Sequence, residues 1–475
     1  MVSFILPGNS ASGEYEVANS LRFNNDSSDS LTQTLGTPTN GKIFTISVWL
    51  KVSGESANAQ EIMAGGTDGS NETFLRYTSN ETLQFRHDHS SDTNWQLQTT
   101  QKFRDPSAWY HFVAAVDTTQ GTASNRAKLY VNGSQITDLS TENYPAQNEE
   151  TFLNKSASVS IGKQNYTTSG YYDGYMAEFC FIDGQALTPT SFGEFDSDTN
   201  IWKPKAVASL TFGNNGFYLD FENSSGLGND AAGSNNFTVN NLTSLDQSTD
   251  TCTNNFCVLN PLSADEMTFS NGNLDVDQAS DAGGGSRTDD NARGTIGVNV
   301  GKWYWETKLT GATAPCVVGI CFDQLKMGSD LSGLTGVYAI QNASGTYAYR
   351  RENGTTSETS GYPNPVANNI MNVAFDADNG KLYIGINGTY YNQAGTEGNP
   401  ATGSNPTFSS IDTSFFWLPW IESRGDNQQA LMNFGSGTSY SISSGNADGE
   451  GYGNFEYSVP SGYYSLCTKN LAEYG

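Results

Sequence analysis

The sequence predicts an all-β protein: two tandem antiparallel β-sandwiches joined by a long Asn/Ser/Gly-rich connector. Three observations carry that prediction. A short pattern occurs twice, as AKLYVNGS at 127–134 and DNGKLYIGINGT at 378–389. In each copy Lys-Leu-Tyr opens an alternating strand that runs into Asn-Gly, at Asn132-Gly133 and Asn387-Gly388. That dipeptide tolerates positive φ at both central positions of the tight turn joining antiparallel strands. Second, no stretch holds an amphipathic helical period, while 50 glycines with abundant Ser, Thr and Asn make a turn-rich chain. Third, strand-like runs recur every ten to fifteen residues with turn residues between them.

A chain of 475 residues has room for more than one core. Its net charge of −27 excludes two classes of partner. A phosphate-binding surface needs clustered Lys and Arg, and the candidate, Arg350-Arg351, reads as a solvated strand edge. Nucleic acid and anionic membrane surfaces are therefore not expected partners. The opening MVSFILPGNS lacks a basic segment and a long apolar run, so it does not read as a signal peptide. No apolar stretch approaches the ~18 residues that span a bilayer. Cys180, Cys316, Cys321 and Cys467 sit in apolar runs and are expected as buried thiols. Cys252 and Cys257 bracket a polar loop, where a bridge is an open alternative.

Residues 1–19 read as an extended lead-in. SLRFNND (20–26) begins the first domain, followed by IFTISVWLKV (43–52), where Phe44, Ile46, Val48 and Leu50 alternate with Thr45, Ser47, Trp49 and Lys51. EIMAGG (61–66), TLQFRHD (82–88), AWYHFVAAVD (108–117), KLYVNGS, ASVSIGK (157–163) and GYMAEFCFIDGQALT (174–188) continue it. This order of phrases resembles the laminin-G-like, concanavalin-A-type jelly roll over about 20–195. The resemblance implies a short terminal helix after the last strand, and ALTPTSFGEF (186–195) fits it with Thr188 as N-cap and Pro189 at the first helical position.

Residues 196–255 form the connector, with FYLDF (217–221) as a lone strand. The second domain, 256–475, runs through FCVLNPL, MTFSNGNLDV, RGTIGVNVGKWYWETKLTG with Trp303 and Trp305 on one face, CVVGICFD, GVYAIQN, TYAYRRENGT and NVAFDADNGKLYIGINGT. FFWLPWIES, ALMNFGS and YSVPSGYYSLC complete it. GKWYWE, VGICFD, FDADNGKLYIGING, FFWLPWIES and MNFG together resemble a SPRY domain, also a concanavalin-A-like sandwich. The pairing of the two domains resembles virion proteins of marine tailed phages.

Concanavalin-A-like folds include glucan hydrolases, which need a carboxylate pair. The nearest string, EFDSDT at 194–199, alternates Glu194, Asp196 and Asp198 but lacks the third glutamate of those enzymes and reads as a solvated acidic linker. His87-Asp88-His89 has a metal-compatible spacing, yet only His111 remains as a third imidazole; the pair reads as surface histidines. GGGS (283–286) precedes neither helix nor lysine and is a linker, not a phosphate loop. With no G-x-S-x-G elbow, the chain reads as a non-enzyme. The laminin-G-like resemblance implies calcium at the loop rim, with Asp26, Asp29, Asp173 and Asp183 as candidate ligands. Sugar recognition stacks a ring on an aromatic face; the loop candidates are Trp95, Tyr166, Tyr171, Tyr172, Tyr390 and Tyr391. Trp49, Trp109, Trp303, Trp305, Trp417 and Trp420 are expected in cores or on strand faces.

These readings converge on a virion surface protein of tail-fibre or adhesin type that binds host-surface glycans and contacts other virion proteins. It would assemble as a homo-oligomer within the particle through sandwich faces or the lead-in. The alternatives are a capsid decoration or head-fibre protein and, further off, a secreted lectin or glycan hydrolase.

Overall fold

A computed structural model describes residues 15–54, 58–91, 94–265, 267–278, 290–311, 316–327, 335–342, 346–423 and 429–475. The Gly-rich stretch at 283–286 and the lead-in before residue 15 lie outside them. The described residues form two compact units, one up to Thr253 and one from Asn254 to Gly475.

The first unit is a sandwich of two eight-stranded antiparallel sheets. One sheet is centred on Ile43–Val52, which pairs with Trp109–Asp117 on one side and Gly174–Asp183 on the other. The facing sheet runs in the order Leu139–Asn143, Trp95–Lys102, Thr82–His89, Asn71–Tyr77, Gln60–Asp68, Ser158–Ile161, Ser30–Thr34, Thr238–Asn240. Phe44, Ile46, Val48 and Leu50 point into the shared core with Phe85, Leu97 and Phe181. Their alternates, Thr45, Ser47, Trp49 and Lys51, are buried as well. A second layer explains this: Val17, Trp202, Val207 and Phe192 cover that face. His111 is caught in it. Trp202 Nε1 donates to His111 Nδ1 at 3.0 Å, so Nε2 carries the ring proton and donates to Ser47 Oγ at 2.8 Å. Burial pushes its pKa down to about 3, and the ring is neutral.

The stretch read as a connector supplies Trp202 and Val207 of that layer and more. Phe217–Leu219 is not a lone strand, since it pairs with Gly174–Asp183, and Thr238–Asn240 and Gln247–Ser248 extend the two sheets. Polar Asn/Ser/Gly composition marked irregular backbone, but apolar anchors spaced through it (Trp202, Phe217, Leu219, Phe237) are buried in the first unit. The acidic string at 194–199 is likewise no open linker: Gly193–Phe195 forms a hairpin with Trp202–Pro204. Asp196 accepts from Thr199 N and Oγ1, Asp198 N and Lys203 Nζ, bonds that hold its carboxyl well below the usual range. The expected terminal helix is a single 3-10 turn, Pro189–Ser191, with proline at its first position and no side-chain capping bond from Thr188, whose hydroxyl instead meets that of Thr190 at 2.9 Å.

The second unit is also a two-sheet sandwich, of seven and nine strands. Trp303 and Trp305 enter its core together, while Tyr304 between them faces Tyr383, Tyr390 and Phe455 on the outside of the sheet. A short α-helix, Thr468–Tyr474, follows the last strand and was not anticipated; it occupies the stretch TKNLAEY, too short to show a helical period. Both Asn-Gly turns have positive φ at both residues, 45° and 81° for Asn132-Gly133, 50° and 83° for Asn387-Gly388, the two-residue hairpin that the dipeptide predicts. Cys252 and Cys257 are thiols that form no bridge with each other, and Cys180, Cys316, Cys321 and Cys467 are buried thiols as expected. Among the described residues no helix is long and apolar enough to cross a membrane.

Candidate functional site

At one rim of the first unit a cleft of about 500 Å³ opens between the loop after Ser20–Phe23, the start of Gln60–Asp68, Asn71–Tyr77 and the loop before Gly174–Asp183. Its walls carry Asn25, Asp26, Asn58, Glu61, Arg76 and Gln164, with Ser169 and Tyr171 completing it. Antiparallel register dictates the central pair. Glu61 lies opposite Arg76, and Arg76 opposite Gln84, on adjacent strands, so these side chains share one face. Arg76 Nε donates to Gln84 Oε1 at 2.7 Å, and Gln84 Nε2 to Gln98 Oε1 at 2.9 Å, extending a polar row across the sheet.

Glu61 is 2% exposed. Its Oε1 lies 3.6 Å from the Arg76 guanidinium, while Oε2 has no hydrogen-bond partner among the described residues. Burial raises its pKa to about 8 against the opposing pull of Arg76, so at neutral pH the carboxyl is largely protonated and able to donate. Nearby Glu72 is held by Gln164 Nε2 at 3.1 Å, and the same amide donates to Tyr166 Oη at 2.6 Å. The chemistry on offer is a set of amides and hydroxyls with the Arg76 guanidinium, the Asp26 carboxyl and the unpartnered Glu61 oxygen, suited to hydroxyl-rich ligands.

The six candidate aromatics separate. Tyr171 lines the cleft and Tyr166 stands beside it, bonded to Gln164. Trp95 is 1% exposed and packs edge-on against Phe85 in the core, and Tyr172 is fully buried with its hydroxyl toward Lys51 O. Tyr390 is packed with Tyr383 in the second unit, and Tyr391 lies edge-on to Tyr362 there. For these four the large ring is filling a core or a sheet face, so they are not part of the cleft.

The candidate calcium ligands also divide. Asp183 accepts from Thr39 N, Asn40 N, Asn154 Nδ2 and Asn215 N, which saturates its carboxylate and lowers its pKa despite burial. It is a structural knot. Asp26, Asp29 and Asp173 lie near one another: burial chiefly, then Asp26 and Asp29, raise Asp173 to about 7, and burial raises Asp29 to about 6. Oδ1 of Asp29 and of Asp173 is buried without a partner among the described residues. Among the described residues no three His, Cys, Asp or Glu side chains converge as a metal site. The histidines are no surface pair either. His87 is fully buried in the strand Thr82–His89, stacked on Phe152 and Trp95, with Nδ1 2.6 Å from Thr73 Oγ1 and Nε2 3.7 Å from Glu149.

Glu61, Arg76, Asn58 and Gln164 were not singled out from sequence. Glu61 opens an otherwise apolar strand and Arg76 closes the next one, and their alignment requires the hairpin register.

A family model described as the concanavalin A-like lectin/glucanases superfamily matches residues 24–191, which contain the cleft. Among solved structures, the chain is similar to the PSpry domain of TRIM65 (13% identity, 37% of this chain and 91% of that one, TM-score 0.28) and the SPRY domain of human HERC1 (14%, 37% and 96%, TM-score 0.28). No curated protein sequence matches. The chain thus carries a concanavalin-A-like domain, in an architecture of tandem β-sandwiches.

Proposed function

We propose that this is a non-enzymatic surface protein of a tailed-phage particle that recognises host-surface glycans through the rim cleft of its first sandwich. One observation carries the reading: Glu61 Oε2, buried and without a partner among the described residues, lines a polar cleft whose walls also carry amides, hydroxyls, Asp26 and Arg76. A sugar hydroxyl satisfies such an atom, and Tyr171 offers a ring for stacking. The neighbouring Glu72 is engaged by Gln164, which leaves Glu61 and Asp26 as the carboxyls that line the cleft, and we read them as part of a recognition site. The virion assignment rests on the resemblance of the domain pairing and on the strong acidity, which suits a charge-repelled exterior.

The test is a glycan array probed with the full chain. Glycans retained by the wild type are expected to be lost with Glu61→Ala and weakened about tenfold with Tyr171→Ala, as for one lost stacking contact of ~1.4 kcal/mol. Array binding that survives both changes would reject the cleft. Immunolabelling of virions places the chain, and label confined to the capsid would favour the decoration role over the fibre role.

A further inference from the structure

We propose that Lys51 and Asp250 condense into an amide, an intramolecular cross-link that seals the first unit. Lys51 Nζ lies 2.6 Å from Asp250 Oδ2, with the two side chains 1% and 0% exposed. Both reactants are fixed from their backbones. Lys51 sits in the central strand, registered against Trp109 on one side and Tyr175 on the other. Asp250 is held by Ser20 Oγ, which donates to its carbonyl at 2.6 Å, and its own N–H donates to Ser248 Oγ at 3.1 Å. The other carboxyl oxygen, Oδ1, accepts the Trp109 indole N–H at 3.0 Å, and the Tyr175 ring lies 5.7 Å from the ammonium.

This arrangement supplies what amide formation requires. Away from water the charged pair is costly, and proton transfer from ammonium to carboxylate yields a neutral amine and a neutral acid. The amine lone pair then attacks Cγ. The N–Cγ bond forms, the Cγ–Oδ2 bond breaks, and Oδ2 leaves as water with two of the three ammonium protons; no oxidant, metal or co-reactant takes part. Oδ1 becomes the amide oxygen and keeps the Trp109 hydrogen bond, which stabilises the negative charge developing there during attack. Immobilisation of both partners at contact distance replaces the concentration such a reaction needs in solution. The other lysine–carboxylate pairs among the described residues lack this setting: Lys102–Glu81, Lys203–Asp196 and Lys302–Asp376 leave 46%, 18% and 32% of the lysine side chain open to water. The amide would close a loop of 199 positions and pin the segment after Gln247–Ser248 to the middle of the sheet.

The intact mass of the full chain, measured under denaturing conditions, tests this. The expected value is below the sequence mass by one water molecule, and proteolysis is expected to release a branched peptide joining Lys51 to Asp250. Lys51→Arg, which keeps a cation opposite Asp250, is expected at its full sequence mass. Trp109→Phe preserves both reactants and is expected to give a slowly converting mixture; conversion as fast as in the wild type would overturn the role given to Trp109. A wild-type mass equal to that of the sequence after prolonged incubation of the folded protein would overturn the proposal, leaving an ordinary buried ion pair.

Discussion

The two units solve the same local problem with different material. Each closes a hairpin at Asn-Gly, and each presents the bare face of that glycine to an aromatic ring from later in the chain. A Cβ on Gly133 would stand 2.4 Å from the Trp202 ring, and one on Gly388 would stand 2.6 Å from Tyr457. Each also gathers the N–H groups of a returning segment onto one carboxylate. In the first unit Asp183 accepts from Asn215 N; in the second Glu306 accepts from Glu456 N at 3.0 Å and Tyr457 N at 2.9 Å, with Tyr304 and Asn433 side chains added. The carboxylates nonetheless respond oppositely. Hydrogen bonds win at Asp183 and hold its pKa low, whereas burial wins at Glu306 and raises it. Similar donor sets therefore leave one carboxyl below its ordinary range and the other above it.

The comparison breaks most visibly at the carboxylates. Glu306→Ala strands two backbone N–H groups, a tyrosine hydroxyl and an amide, and is expected to cost about 4 kcal/mol in the second unit. Asp183→Ala strands an equivalent set and is expected to cost about as much in the first. Hydrogen exchange read peptide by peptide distinguishes them, since each loss of protection should centre on its own unit. Equal loss in both units from either change would show that the knots are not local. A step smaller, Gly133→Ala and Gly388→Ala each combine an unfavourable φ with a ring contact, at about 1–3 kcal/mol. Here the thermal midpoint of the double variant Gly133→Ala/Trp202→Ala sharpens the point. If the ring contact matters, the double variant loses less than the sum of the two single changes.

The hairpins were legible because two adjacent residues specify them, and the strands because period-two alternation survives without context. The connector misled because burial there rests on isolated anchors such as Trp202 and Phe237, each surrounded by turn residues. His87 misled for a related reason: a polar neighbourhood in sequence, HDHSSD, adjoins Phe152 and Trp95 in space. Of the cleft, Asp26 and Tyr171 were accessible as loop residues. Glu61 and Arg76 were not, because a cross-strand pair becomes visible only once register joins two segments fifteen positions apart.

The smallest effect expected, and the one most specific to the first unit, is in pH. Glu61 has an ordinary value of 4.5 and is raised to about 8 by burial. The folded state then holds the proton more tightly than the unfolded chain, so its contribution is complete below pH 4.5 and is lost as pH rises through about 8. Asp173 and Glu178, each raised to about 7, act in the same direction. His111 acts oppositely: held near 3 against an ordinary 6.5, it weakens the fold as pH falls below 6.5 and is silent above it. Between pH 6.5 and 8 the acids therefore act without that counterweight, and protection of the first unit is expected to decline. Glu61→Gln keeps the shape and removes the titration, so hydrogen exchange of this variant should show a shallower decline over that interval. An unchanged slope would mean that Arg76 stabilises the Glu61 anion better than burial disfavours it, and that the cleft presents a charge rather than a donor.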